Sequence, residues 1–168
     1  MIVEILSGLL IGTIDDGYDK LVYEKYQIDI ILNCSTDKKF VDINNVEKVR
    51  LPLKDMESLK KNKIKIIKFI KDNYLKKNIL LLSNEDFNIV ICALFLIEYG
   101  KISIVDIKNI LKNKNICIDR NLNYFIWYKY KIKMKNKTIK IDIYNDIILN
   151  KNPDLEKQID KLVEKNDK

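Results

Sequence analysis

The sequence predicts an α/β domain in which a central, mostly parallel sheet is flanked by helices. Two near-continuous apolar runs of strand length, at residues 28–33 (IDIILN) and 79–82 (ILLL), are typical of strands buried on both faces. Between them, residues 58–75 space their apolar side chains like a helix with one buried face. Because such strands alternate with helices along the chain, a parallel sheet covered by helices is the favoured arrangement.

The segments before the first buried run predict a strand pair and a short helix. Residues 2–6 and 9–11 have the length and composition of two short strands. The sequence DDG at 15–17 indicates a turn, after which a short helix is expected over residues 18–26. The buried strand at 28–33 follows, and we expect it to lie centrally in the sheet.

The middle of the chain continues this alternation. A strand is predicted at 46–51, where Pro52 ends it. After the strand at 79–82 comes a short polar loop at 83–88, and then an apolar helix over residues 89–99. Ligands of open parallel sheets sit at the carboxyl ends of the strands. The candidate site is therefore expected in the loops that follow Asn33, Leu51 and Leu82.

The last part of the chain predicts an extension to this domain. Residues 139–149 alternate like a strand, and Asn152 followed by Pro153 is a typical helix start. We expect residues 1–130 to form the α/β domain. Residues 131–168 are expected to add a C-terminal strand and an amphipathic helix that pack on the same domain.

Composition excludes several kinds of catalytic and metal site. The chain of 168 residues has no histidine, which rules out triads that use histidine as the base. Its cysteines, Cys34, Cys92 and Cys117, are far apart and set in apolar stretches. Reduced thiols in the core are therefore expected, rather than disulfides or a zinc site. We expect no metal and no cofactor.

The charge pattern gives only weak evidence for a nucleic-acid partner. The net charge is +7, yet Arg50 and Arg120 are the only arginines among 31 basic residues. Lysine attracts acidic partners diffusely and lacks the planar fork with which arginine binds phosphate. Residues 129–140 alternate lysine with apolar side chains, which fits a basic strip for nucleic acid or an anionic membrane. The solvated face of an edge strand is the favoured interpretation.

Several short sequence motifs occur in the same order as in a known family. In chain order they are LIG at 10–12, IDIILNCS at 28–35, LPLKD at 51–55, the strand at 79–82 with the loop and apolar helix after it, and NLNY at 121–124. Their order resembles that of the dual-specificity protein phosphatases, within the cysteine-dependent protein tyrosine phosphatases. The resemblance covers roughly residues 2–130 and implies that family's fold.

The resemblance fails at the residues that carry the family's chemistry. In the family this strand leads into a His-Cys-x5-Arg phosphate loop. Its cysteine thiolate attacks phosphorus, while the arginine and backbone N–H groups hold the phosphate oxygens. In this chain a serine follows the strand, the sixth residue after it is an isoleucine, and the loop is shorter by about three residues. The degenerate loop positions are Ser83, Asn84, Glu85, Asp86, Phe87, Asn88 and Ile89.

Other residues offer no replacement for the missing groups. No arginine lies between Arg50 and Arg120, and a serine without a neighbouring base is a poor nucleophile. The carboxylates of Glu85 and Asp86 would repel phosphate, so binding of phosphate or a phosphopeptide is not expected. Asp55 matches the family's general-acid position, where it would be vestigial. The simpler interpretation of Asp55 is a solvated turn residue.

These observations favour a catalytically inactive pseudophosphatase that is not an enzyme and acts by binding another protein. Its binding surface would be the mouth of the cleft or the C-terminal helix. Poxviruses encode an active dimeric member of the family, so the resemblance and the AT-biased composition together imply a poxviral source and are compatible with a homodimer. Cytoplasmic location and no membrane span are expected, since no apolar run reaches the length of a span. The alternative is a nucleic-acid-binding protein that uses its lysine-rich surface.

Overall fold

The structure, a computed structural model, describes residues 1–116. The strand predicted at 139–149, the helix that begins at Asn152, and Cys117 lie outside the described residues. The expected domain boundary after residue 130 lies outside them as well. The first compact unit of the chain is Met1–Gly100, and a second begins at Lys101.

Strands and helices alternate along the described chain. The strands are β1 (Val3–Leu6), β2 (Leu9–Gly12), β3 (Ile30–Asn33), β4 (Glu47–Arg50) and β5 (Ile79–Leu82). The helices are α1 (Lys20–Lys25), α2 (Met56–Tyr74), α3 (Phe87–Glu98) and α4 (Ile104–Asn113), and a short 3₁₀ turn at Asp16–Tyr18 precedes α1.

The five strands form one mixed sheet in the order β1-β2-β5-β3-β4. Only β1 and β2 pair antiparallel, as a hairpin, while β2, β5, β3 and β4 are parallel neighbours. Every residue of β5 and of β3 is buried, as expected for parallel strands covered on both faces. The predicted α/β class and mostly parallel sheet are therefore confirmed, with β5 at the centre.

Helices and loop segments cover the two faces of the sheet. Helices α2 and α3 pack on each other and contact β5 and β2. A second cluster, which includes Leu10, Ile31 and Leu80 from three adjacent strands, packs against Tyr23 of α1 and Val41 of the β3–β4 connection. Burial of one large apolar side chain contributes about 1.5–3 kcal/mol, so this two-sided core is the main source of stability.

Helix α2 begins two residues before the predicted start at residue 58. The Asp55 carboxylate accepts the backbone N–H of Ser58 at 2.8 Å, and the Ser58 hydroxyl accepts the N–H of Asp55 at 3.2 Å. This reciprocal capping box satisfies N–H groups that the first turn leaves unpaired. The apolar stripe of α2 is placed as predicted, with Leu59, Ile66 and Ile70 buried.

In the second unit, the structure describes α4 and the residues next to it. The hydroxyl of Ser103 accepts the N–H of Asp106 at 3.1 Å, which is a typical serine N-cap. Within residues 1–116 no helix combines the length and apolar character that crossing a bilayer requires.

Candidate functional site

The carboxyl ends of the parallel strands bring three connections side by side. The N–H of Ser83, after β5, donates to the carbonyl of Gly12 at the end of β2 (3.1 Å). The N–H of Cys34, after β3, donates to the carbonyl of Leu82 (2.8 Å). The N–H of Leu51, after β4, donates to the carbonyl of Asn33 (2.8 Å). This edge is where a ligand of such a sheet is expected.

The loop between β5 and α3 is shorter than predicted. Helix α3 begins at Phe87, so the loop consists only of residues 83–86. The predicted helix start at Ile89 is therefore wrong by two residues, because Phe87 and Asn88 are buried in the first helical turn. The N–H of Val90 donates to the carbonyl of Asp86 at 3.0 Å and closes that turn.

Two asparagine side chains fasten this loop to the end of β2. The side-chain amide of Asn88, only 6% exposed, donates to the carbonyl of Gly12 at 2.8 Å. The side-chain oxygen of Asn84 accepts the backbone N–H of Ile14 at 3.2 Å. The Gly12 carbonyl thus accepts from both Asn88 and the N–H of Ser83. The loop is therefore held by one buried asparagine, Asn88, and one exposed asparagine, Asn84.

Side chains of the loop and of the first turn of α3 accept hydrogen bonds from backbone N–H groups of the same segment. The N–H of Glu85 donates to the hydroxyl of Ser83 at 3.2 Å, and the N–H of Ile89 donates to the side-chain oxygen of Asn88 at 2.9 Å. A phosphate cradle needs such N–H groups directed at the ligand. At these two positions the donors are already satisfied within the protein.

Ser83, at the predicted nucleophile position, is buried and its hydroxyl accepts a backbone N–H. Within the described residues no carboxylate or amine side chain is hydrogen-bonded to it. The buried cysteines differ from a reactive thiol: burial raises the pKa of Cys34 to about 12. Burial, and secondarily the nearby Cys34, raises the pKa of Cys92 above its usual value. Cys92 packs in the core, as predicted.

Arg50 is the only arginine in the described part of the chain, and it serves the β3–β4 connection. Its guanidinium donates to the backbone carbonyl and to the hydroxyl of Ser35, both at 3.1 Å. The same group lies over the Phe40 ring, 4.7 Å from the centroid. Sequence reasoning missed this role, although a single arginine at a strand end of a lysine-rich chain is a usable signal.

Asn33 has a structural role at the end of β3. Its side-chain oxygen accepts the N–H and the hydroxyl of Ser35 at 2.8 and 2.7 Å, and its amide donates to the carbonyl of Lys38 at 3.4 Å. Asn33 and Arg50 therefore converge on Ser35 and order the chain that follows β3.

Asp55 lies at the start of α2, where its carboxylate is the N-cap. It is exposed, but it is more than a turn residue, and in residues 1–116 no hydrogen bond or ion pair joins it to residues 83–86. The D-x-x-S spacing of Asp55 and Ser58 is the signal from which the cap could have been predicted. The structure thus keeps residues 83–89 together and assigns Asp55 a separate structural contact.

Comparison with known proteins identifies the fold. No protein-family model matches the sequence, and no curated protein sequence matches it. Solved structures do match. DUSP15 aligns with 73% of this chain and 83% of its own, with a TM-score of 0.64 and 18% identity. A leucine-rich-repeat and phosphatase-domain protein from Entamoeba histolytica aligns with 80% of this chain and 94% of its own, with a TM-score of 0.63 and 17% identity.

This chain has the fold of the dual-specificity phosphatases. A third structural neighbour is the human tyrosine phosphatase-like serine/threonine/tyrosine-interacting protein. The alignment covers 79% of this chain and 97% of the neighbour's chain. Its TM-score is 0.63 and its identity 15%. The fold predicted from the order of these motifs is therefore confirmed. At these identities the likeness concerns the path of the backbone.

Proposed function

We propose that this chain is a catalytically inactive member of the dual-specificity phosphatase fold and acts by binding another protein. The observation that carries the proposal is the connection between β5 and α3. It is four residues long, with the sequence SNED, and contains neither cysteine nor arginine. A phosphatase of this kind needs a thiolate nucleophile and donors for three phosphate oxygens.

Hydrogen bonding supports the proposal beyond residue identity. Two N–H donors at this edge, those of Glu85 and Ile89, already have acceptors within the loop and the first turn of α3. The side chain of Glu85 is exposed beside them, and a carboxylate close to a phosphate is unfavourable. We therefore infer that neither phosphate nor a phosphopeptide binds at this edge.

A binding role is consistent with what remains. The scaffold and its core are intact, and one structural neighbour is named as a tyrosine phosphatase-like interacting protein. We place the partner surface at the mouth of the cleft or on the C-terminal helix. On composition and resemblance alone, we place the protein in the cytoplasm of a poxvirus-infected cell.

Enzyme assays test the catalytic half of the proposal. Hydrolysis of a small aryl phosphate is measured for the wild type, for Ser83→Ala and for an active dual-specificity phosphatase. We expect the wild type and Ser83→Ala to match the enzyme-free blank, and tungstate to leave the melting temperature of the wild type unchanged. Turnover that is lost in Ser83→Ala would identify Ser83 as a nucleophile and overturn the proposal. Turnover that persists would also overturn it and would place the nucleophile elsewhere.

Capture experiments test the binding half. The full chain is used as bait in a cell extract, beside Glu85→Lys, which reverses charge at the mouth of the cleft. A protein partner should be retained in moderate salt and survive nuclease treatment. Retention that disappears with nuclease, or falls steeply as salt rises, would indicate nucleic-acid binding instead.

A further inference from the structure

An open cavity of about 290 Å³ lies between α2 and the end of α3, away from the candidate site. It is lined by Lys63, Ile64, Ile67, Glu98 and Tyr99, and we refer to it as the α2 groove. Binding sites are typically concave and mostly apolar with a few polar groups at the edge. The α2 groove has this composition and has room for a large apolar side chain.

The apolar wall of the α2 groove is unusually exposed. The Ile64 side chain is 79% exposed, whereas the neighbouring Ile67 is buried and forms the floor. Leu75, the C-cap residue of α2, lies three helical turns after Ile64 and is 88% exposed. A ligand that covered Ile64 would gain up to about 1.5–3 kcal/mol from that one side chain.

Lysine and one glutamate form the charged part of the groove lining, and a second lysine lies next to it. Within residues 1–116, the ammonium group of Lys63, which lines the groove beside Glu98, has no ion pair or hydrogen bond. Lys68 differs, because it pairs with Asp72 at 2.7 Å. Lys71 lies 4.5 Å from the centroid of the Tyr99 ring. The groove therefore combines an apolar floor and wall with a mainly cationic edge.

We propose that the α2 groove binds an acidic peptide segment of a partner protein through one large apolar anchor residue flanked by carboxylates. The inference rests on the proposed function, because it names a partner class for a protein that acts by binding. The anchor would lie on Ile67 between Ile64 and Tyr99. The flanking carboxylates would meet Lys63 and Lys71 at the edge, where they add specificity and a faster association rate.

Two other anionic partners fit this surface less well. A membrane would meet Glu57 and Asp72, which lie on the exposed face of the same helix, and it would leave the concave floor unfilled. A nucleic acid would find no arginine on α2 and only one aromatic ring, that of Tyr99, in the groove. An acidic peptide with an apolar anchor uses both the cavity and the charge.

Fluorescence anisotropy with the full chain tests the inference. The probe is a short labelled peptide with a central phenylalanine flanked by glutamates, used beside the same peptide with alanine in place of phenylalanine. We expect the first to bind and the second to lose at least about tenfold in affinity, as removal of one buried apolar side chain implies. Equal binding of the two peptides, or no binding of either, overturns the inference.

Variants of the protein locate the binding. Ile64→Ala should weaken binding of the phenylalanine peptide by at least about tenfold, with an unchanged melting temperature because Ile64 is exposed. Lys63→Glu should weaken it several-fold, whereas Lys48→Glu, an equal charge change on strand β4, should not. Loss of affinity in Lys48→Glu equal to that in Lys63→Glu would overturn the groove as the site.

Two further measurements separate the possible failures. Vesicles of phosphatidylserine and phosphatidylcholine, and a single-stranded RNA, are titrated with the same variants. Binding of either probe that depends on Ile64, with no peptide binding, would overturn the inference in favour of that partner. The aryl phosphate assay on the same samples is an independent readout. Turnover would overturn the proposed function. Absence of both turnover and peptide binding would overturn only the inference about the α2 groove.

Discussion

The side-chain amide of Asn88 donates a 2.8 Å hydrogen bond to the carbonyl oxygen of Gly12, 76 residues away in the chain. It joins the first turn of α3 to the end of β2, beside the bond from the N–H of Ser83 to the same oxygen. Both partners are far from water, since Asn88 is buried and Gly12 lies in a fully buried strand. This contact fixes where α3 begins and how short the loop before it is.

Substitution of Asn88 should therefore destabilise the protein. Asn88→Ala leaves the loop without its tether, and we expect a loss of about 1–3 kcal/mol in the free energy of unfolding. Asn84→Ala removes a hydrogen bond at an exposed side chain and is the matched control. It should lower the free energy of unfolding by less than about 1 kcal/mol. Urea denaturation followed by circular dichroism measures both. Equal losses would show that burial of the amide is unimportant.

On the proposed function, adding cysteine and arginine at the loop should not produce catalysis. In Ser83→Cys with Ile89→Arg, the loop keeps its short length, and the new arginine enters from within a helix rather than from a loop. We expect no aryl phosphate turnover above blank in single-turnover assays. The control is a chimera in which residues 83–88 are replaced by the full loop of an active phosphatase. Activity in the double variant would mean that residue identity alone was limiting.

The asparagine isostere separates the two interpretations of Asp55. Asp55→Ala removes the N-cap of α2 and should lower the free energy of unfolding by about 1 kcal/mol, while Asp55→Asn keeps a capping oxygen and should change it little. A general-acid role would appear as a loss of turnover in Asp55→Asn, not as a loss of stability, because asparagine cannot donate the proton. Thermal melts of the wild type and both variants give the answer, and a large loss in Asp55→Asn would contradict the cap.

The thiols of Cys34 and Cys92 should be inert in the native protein. Because burial raises the pKa of both, the thiolate that reacts with alkylating reagents is scarce at pH 8. We expect iodoacetamide to modify them only as fast as the chain unfolds, and to modify both promptly in denaturant. Mass spectrometry of the digested protein assigns each site. Rapid native labelling of either one would show that it is accessible and ionised.

Alkaline pH should destabilise the fold in part through Tyr23. Burial raises its pKa from 10.0 to about 12, and its hydroxyl donates to the carbonyl of Gly17. Between these values the unfolded chain loses a proton that the folded chain retains, so the free energy of unfolding falls as pH rises, by at most about 2–3 kcal/mol.

Tyr23→Phe isolates this contribution. The variant should be about 1 kcal/mol less stable at pH 7, because it lacks the hydrogen bond to Gly17, yet it should lose less stability than the wild type above pH 10. Urea denaturation at a series of pH values measures both slopes. Parallel slopes would exclude Tyr23 as a source of the alkaline loss. The buried cysteines contribute equally to the two proteins and cancel in the comparison.

The sequence was informative where a local pattern has one structural solution. Residues 79–82 could be predicted as a strand to the residue, because four consecutive apolar residues between polar ends suit a strand covered on both faces. The buried stripe of α2 could be predicted for the same reason. The α3 start could not, since it depends on the bond from Asn88 to Gly12, a distant contact that no local pattern encodes.

At the candidate site, residue identities were readable but their contacts were not. The absence of cysteine and arginine from residues 83–89 follows from the sequence alone. The engagement of Arg50 with Ser35 and Phe40 depends on the fold of the β3–β4 connection. The α2 groove was also missed. The helical pattern places Ile64 among the polar residues on the outer face of α2, and it does not reveal the cavity beside that residue.

The hydrogen bonds of Asn84 and Asn88 also affect how this protein could evolve. A longer loop able to surround an anion would have to release Asn84 from Ile14 and Asn88 from Gly12 before any activity appeared. Each intermediate sequence on that route would be less stable than its parent and no more active. On the proposed function, point mutation and selection would therefore tend to keep the protein inactive, even under selection for phosphatase activity.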